Sequence, residues 1–183
     1  MKQYLIKISS VSDEELNKCL SLMTDERKKY INSVSNPKRR LESIAGEWLM
    51  KKAAADYLSL PAEKIIIDRT EKGKPFIKGE KVHVSLSHSG DYVAAAIDKS
   101  PVGIDIEILK PIDLKVAKKV LNDSDRGFFE KGDRLLNFYK IWTAKEAYFK
   151  MTGTGIIDMK GISYNEIHTS HTFEKGLIIT TVN

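Results

Sequence analysis

A chain of 183 residues, 42% hydrophobic and 30% charged, carries enough apolar content for one core, or for two small halves sharing one, beneath an ordinary charged surface. Cys19 is the only cysteine, which excludes an intramolecular disulfide and a cysteine-rich zinc site, and no apolar run approaches the roughly 20 residues that span a bilayer. The formal net charge of +5 favours an anionic partner; nucleic acid, a phosphorylated cofactor and an acidic protein are all compatible with it.

Residues 3–8 alternate and predict a strand. Lysines interrupt this N-terminal stretch too soon for a signal peptide, so a reducing cytoplasm is the expected home. Ser12-Asp13-Glu14-Glu15 has capping-box chemistry and predicts a helix running to about Met23. Asn36 then offers an N-cap and Pro37 a first helical residue, opening a helix with Leu41, Ile44, Ala45, Trp48 and Leu49 at helical spacing that reaches Tyr57. Residues 65–67 predict a short strand before a glycine- and lysine-rich turn at 71–75. Two apolar strands follow, 82–86 and 92–97, joined by a polar turn at 87–91; after a turn at 98–101 comes a third strand, and an antiparallel meander is the expected topology. Residues 114–121 predict a helix, and 135–151 a longer amphipathic one stopped by Gly153-Thr154-Gly155. The β-branched content of 162–182 predicts a terminal hairpin.

Within this order, Val102-Gly103-Ile104-Asp105-Ile106-Glu107 alternates cleanly, so Asp105 and Glu107 share one strand face. Such residues lie roughly 6.5–7 Å apart at Cα, close enough for both carboxylates to converge on one cation. Glu146 shares a helix face with Trp142 and Phe149, and a carboxylate buried there needs a partner, because burying its charge alone costs several kcal/mol. A hard divalent ion would serve all three acids. Taken alone, the same residues also read as surface ion pairs, with Glu146 bonded to Lys150 one helical turn on.

Gly103-Ile104-Asp105-Ile106-Glu107 and Trp142-Thr143-Ala144-Lys145-Glu146-Ala147-Tyr148-Phe149-Lys150, preceded by Gly73-Lys74-Pro75 and Ser85-Leu86-Ser87-His88-Ser89, resemble in sequence and in order the 4′-phosphopantetheinyl transferases of the surfactin-synthetase-activating type. The resemblance implies an α+β fold of two pseudo-symmetric halves, each a small antiparallel sheet packed on a long helix. These are expected at 1–100, with nucleotide-contacting basic residues, and 101–183, with the carboxylates, the boundary lying near 99–102. It implies transfer of the 4′-phosphopantetheine arm of coenzyme A to a serine of an acyl- or peptidyl-carrier protein by a monomer that needs magnesium, for which manganese can substitute. By the same resemblance, Asp105, Glu107 and Glu146 are the metal ligands, Asp105 also borders the coenzyme, Glu146 is a candidate base, and Lys150 reaches a phosphate oxygen.

The resemblance further assigns Ser87 and His88, in a turn with free N–H groups, to coenzyme phosphates, and Gly73, Lys74 and Pro75 to the adenine end. Among the basic residues Arg27, Lys28, Lys29, Arg39 and Arg40, the expected grips on the 3′-phosphate are Lys28 and Arg40. Attack of a hydroxyl on a pyrophosphate depends mainly on positioning and charge neutralisation, for which carboxylates, magnesium and lysines are suited. Two other readings are open: a basic nucleic-acid-binding module, supported by the charge but by no recognised motif, and a non-catalytic relative that binds coenzyme A or a carrier without transfer.

Overall fold

Capping chemistry sets most helix boundaries, and the packing of two long helices on two sheets sets the rest. The computed structural model describes residues 1–155 and 158–183. Strand β1 (Lys2–Lys7) leads to helix α1 (Asp13–Ser21), where Ser12 and Glu15 close the expected capping box. Helix α2 (Asp25–Ser33) has no apolar periodicity; Ile31 is its one buried residue, so a hydrophobic pattern does not reveal it, and the Thr24 hydroxyl caps it by accepting from the Arg27 N–H. Helix α3 (Pro37–Leu58) opens as expected, with the Asn36 side chain accepting from the Arg39 N–H.

The first sheet comprises β2 (Ile67–Arg69), β3 (Pro75–Ile77), β4 (His83–Ser89) and β5 (Tyr92–Asp98) together with β1, in the order β1-β5-β4-β3-β2, antiparallel throughout. One face packs on α3 through Ile44, Leu49, Met50, Val84, Val93 and Ile97. The helix comes so close that a Cβ on Gly46 would stand 2.7 Å from Leu86.

The second sheet has three strands, β6 (Gly103–Ile108), β7 (Thr169–Glu174) and β8 (Leu177–Val182), in the order β6-β8-β7. Its outer face carries helix α6 (Arg134–Thr152), started by Asp133 and stopped by Gly153 in the left-handed conformation. Two short helices, α4 (Leu114–Val120) and α5 (Asp123–Phe129), pack on α6 through Val120, Leu121, Phe128, Phe138 and Ile141. The fold is thus α+β, with a sheet and a long helix in each half. The halves meet sheet to sheet, where Ala94 and Ala96 lie against Ile104, Ile106 and Ile179.

Two expectations about the strands are corrected. The meander stops at β5: β6 crosses to the second sheet and pairs with β8, from Gly103↔Val182 to Ile108↔Leu177. The hairpin after Val82 is longer and its turn tighter than the polar sequence implies, because β4 runs to Ser89 and only Gly90 and Asp91 remain as loop. Polar residues continue the strand because their hydroxyls find partners on β6. Among the described residues, no helix is long and apolar enough to cross a membrane.

Candidate active site

Strand β6 carries its acids on the side that faces α6. The approach is so close that a Cβ on Gly103 would lie 1.8 Å from the Ala147 carbonyl oxygen, so only glycine lets strand and helix meet there. Asp105 is buried, and its Oδ1 accepts from the Lys150 Nζ at 2.6 Å and from the Ser87 hydroxyl at 2.7 Å. Among the described residues, its Oδ2 is buried with no hydrogen-bond partner. Glu107 Oε2 accepts from the Ser89 hydroxyl at 2.8 Å.

Glu146 and Lys150 stand one turn apart on α6 and line a cleft of about 360 Å³ between the halves. Burial, with Asp105 and Glu107 adding their charge against the opposing pull of Lys150, pushes the Glu146 carboxyl up to about 7. Burial also raises Glu107, and the Asp105 charge adds to it, while Ser89 and Lys150 pull the other way. The Asp105 charge thus adds to the rise at both glutamates. Among the described residues, no three His, Cys, Asp or Glu side chains stand in ligating geometry around one point; the Lys150 ammonium supplies the positive charge beside Asp105. The donor set nonetheless suits a hard cation, since Asp105 Oδ2 lacks a partner and the carboxylates repel one another.

Across the cleft, Gly73, Lys74 and Pro75 line the wall. The Lys74 ammonium does more than line it: it bonds the Met151 carbonyl at the end of α6, and its stem lies 2.8 Å from where a Gly153 Cβ would be. His88 also lines the cleft, half exposed, with Nδ1 3.9 Å from Glu42 Oε2. It projects from β4 and not from a turn, so its neighbour Ser87 points to the opposite face and is buried.

Lys28 and Arg40 do not line the cleft. Lys28 lies 3.7 Å from Asp25 on its own helix, and Arg40 donates to Asn32. The cations of that wall are Arg27, Arg69, Lys72 and Lys74. Arg27 and Arg69 both contact one oxygen of the buried Glu47, Arg27 at 2.6 Å, and burial together with the Arg69 charge lowers the Arg27 pKa. Two guanidiniums on one carboxylate leave a net positive charge facing the cleft. The only signal of Arg27 in the sequence is its place in a basic run, and choosing among neighbours in that run needs the rotation of α2.

Lys145, in the middle of the Trp142–Lys150 motif, is fully buried and donates to Asp125 Oδ2 and to the Val120 and Met159 carbonyls. Asp125 also accepts from the Tyr164 N–H, so this pair ties α5, α6 and the loop before β7 together behind Glu146.

Known proteins identify the family. The family described as the 4′-phosphopantetheinyl transferase superfamily matches residues 101–181, and that described as 4′-phosphopantetheinyl transferase, N-terminal, matches 10–100. The chain is 30% identical over 160 residues to the 4′-phosphopantetheinyl transferase gsp of Aneurinibacillus migulanus, covering 85% of this chain and 67% of that one. The chain belongs to the 4′-phosphopantetheinyl transferase superfamily. It is also 30% identical to the 4′-phosphopantetheinyl transferase Sfp of Bacillus subtilis, over 80% of this chain and 67% of the relative. To the 4′-phosphopantetheinyl transferase psf-1 of Bacillus pumilus it is 38% identical over 62% of this chain. It spans about two-thirds of the length of the first two and about half of psf-1. By family this enzyme is a phosphopantetheinyl transferase, the reading that the ordered motifs had pointed to.

Proposed function

We propose that the enzyme moves the 4′-phosphopantetheine arm of coenzyme A onto a serine of an acyl- or peptidyl-carrier protein, with Asp105, Glu107 and Glu146 holding Mg²⁺ or Mn²⁺. The observation that carries this reading is the cleft itself: its α6 wall presents Glu146 and Lys150, Lys150 is bonded to the buried Asp105, and its opposite wall is cationic. Coenzyme A is a polyanion, with its pyrophosphate and its 3′-phosphate on the adenosine, and the cationic wall together with Lys150 would balance those charges.

The reaction forms one bond and breaks one. The carrier serine Oγ attacks the phosphorus bearing the pantetheine arm, the bond from that phosphorus to the bridging oxygen breaks, and the adenosine 3′,5′-bisphosphate leaves with the electron pair. The divalent ion supplies charge neutralisation on the pyrophosphate when bound. Lys150, on a stem anchored in α6, places an ammonium against a non-bridging oxygen. Glu146 takes the serine proton, directly or through a water. Its carboxyl is buried next to two other acids, an environment that raises basicity, while any nearby cation lowers it again. Lys74, Gly73 and Pro75 fit the adenine end, and Arg27, Arg69 and Lys72 fit the 3′-phosphate better than Lys28 and Arg40, which lie outside the cleft lining. His88 fits a phosphate contact from β4.

Intact-mass analysis of an apo carrier incubated with enzyme, coenzyme A and Mg²⁺ tests this reading. The expected product is the carrier plus one phosphopantetheine, lost in excess chelator and restored by Mg²⁺. An unmodified carrier, or modification that survives the chelator, rejects the transfer or the metal respectively.

A further inference from the structure

The edge of β6 is covered in an unusual way. The backbone N–H groups of Ile104, Ile106 and Ile108 donate to the hydroxyl oxygens of Ser85, Ser87 and Ser89 on β4, at 3.0, 3.3 and 3.1 Å. Side chains of one strand thus stand in for the carbonyls that a neighbouring strand would supply. The match works because alternate side chains on β4 and alternate N–H groups on β6 share the same two-residue repeat. Serine suits the position: its oxygen is one atom beyond Cβ, it accepts twice, and it still has a proton to give.

Those protons go to the acids. Ser87 donates to Asp105 Oδ1 at 2.7 Å and Ser89 to Glu107 Oε2 at 2.8 Å, each eighteen residues apart in sequence. Ser85 stands opposite Gly103, which has no side chain to receive it. Ser87 is saturated, since its oxygen accepts from both the Ile106 N–H and the Lys150 Nζ, at 2.8 Å for the latter, and its proton is on Asp105. A saturated, buried hydroxyl has nothing left for a phosphate. One oxygen of each acid is thereby held from behind, and Asp105 Oδ2 is buried without a partner among the described residues.

We infer that Ser87 and Ser89 are positioning residues for the cation: by docking β6 on β4 and holding one oxygen of each acid, they aim the remaining oxygens of Asp105 and Glu107 at the metal. This rests on the metal assignment proposed above. Partners of this kind, behind the ligands of a metal, typically change affinity about 10–100-fold when removed.

Mn²⁺ binding to the enzyme saturated with coenzyme A, followed by electron paramagnetic resonance and by calorimetry, tests it. Ser87→Ala and Ser89→Ala should each weaken Mn²⁺ binding about 10–100-fold, with the KM for coenzyme A moved only a few-fold and with Ser87→Thr restoring affinity. Ser85→Ala loses an N–H partner but no carboxylate contact, so it should lower the urea midpoint while leaving Mn²⁺ affinity at the wild-type value. Ser89, half-buried at the hairpin end, provides a variant that folds should Ser87→Ala fail to. Mn²⁺ affinity unchanged in both variants, or lowered equally in Ser85→Ala, overturns the inference while the metal reading stands. A wild-type enzyme that binds no Mn²⁺ removes the metal reading and the inference with it.

Discussion

Lys145 and Glu146 are adjacent in the chain yet face opposite surroundings. Glu146 looks into the cleft, and Lys145 looks into the protein, where its ammonium is fully enclosed by Asp125 and two carbonyls. Sequence shows both as charged residues of one motif; a helix turns neighbours about 100° apart, and only the packing around α6 says which side is solvent. Removing one partner of a buried pair leaves an uncompensated charge. Lys145→Met should therefore cost about 3–5 kcal/mol of stability, read from urea unfolding. Asp125→Leu added to it should recover part of that loss, since the stranded carboxylate is then gone. Asp105→Ala and Glu146→Ala should behave differently: transfer to the carrier should be abolished while far-ultraviolet circular dichroism is unchanged. Near-normal rates in both would remove the site proposed here.

Strand β6 has three faces in use at once. Ile104 and Ile106 join the inter-sheet core, Asp105 and Glu107 face α6, and the strand edge is closed by serine hydroxyls. Gly103 is the point where the strand touches α6, and its φ carries no constraint of its own. Gly103→Ala should destabilise by about 1–3 kcal/mol or more, because overpacking here meets a backbone carbonyl and not a flexible side chain. The same substitution should shift Asp105 and lower transfer beyond the loss of folded protein, measured on samples normalised for the folded fraction.

The β7–β8 hairpin holds a second polar feature. His171 Nδ1 and Thr180 are 2.8 Å apart, His171 Nε2 and the Tyr164 hydroxyl 2.9 Å apart, and Thr180 meets Thr143 of α6 at 2.5 Å. Burial, with the Lys140 charge adding to it, lowers the His171 pKa from 6.5 to about 4. Between those values the unfolded chain binds a proton that the folded chain does not. Stability is therefore complete above about pH 6.5 and falls as pH drops towards 4. Urea midpoints at pH 5 and pH 7 should differ less in His171→Gln than in the wild type; an equal difference in both would show that other groups set the slope.

The cleft is a property of the two halves together. Arg27, Arg69 and the Gly73–Pro75 stretch come from the first half, Glu146 and Lys150 from the second, and the Lys74 ammonium on the end of α6 ties one to the other. A ligand that spans the cleft should stabilise the whole molecule by mass action. Coenzyme A should raise the melting temperature, and more so with Mg²⁺. The increment should shrink in Arg27→Ala and Arg69→Ala and persist in Lys28→Ala and Arg40→Ala, and 3′-dephospho-coenzyme A should give the smaller response even with the wild type. Equal responses to the two coenzymes would reject the 3′-phosphate grip on that wall and leave the transfer chemistry untouched.

Four ordered motifs, the capping residues Ser12, Asn36 and Pro37, and the alternation around Asp105 were legible in the amino-acid order because each is a local constraint: a cap, a period or a spacing. They determine the family, the α+β class and both long helices, and they point to the acids of the proposed site. The crossing of β6 into the second sheet was not legible, because strand pairing is a contest between partners far apart in sequence, and Gly103–Ile108 reads equally well beside β5 or beside β8. Nor was the extension of β4 through Ser87-His88-Ser89, where polar residues look like a turn until β6 supplies N–H groups for their hydroxyls. The choice of Arg27 over Lys28 depends on the rotation of a helix with one buried residue, and the task of Lys145 depends on what surrounds it. Short-range chemistry wrote the elements into the sequence; burial, which exists only once distant segments meet, decided which faces of those elements became the site.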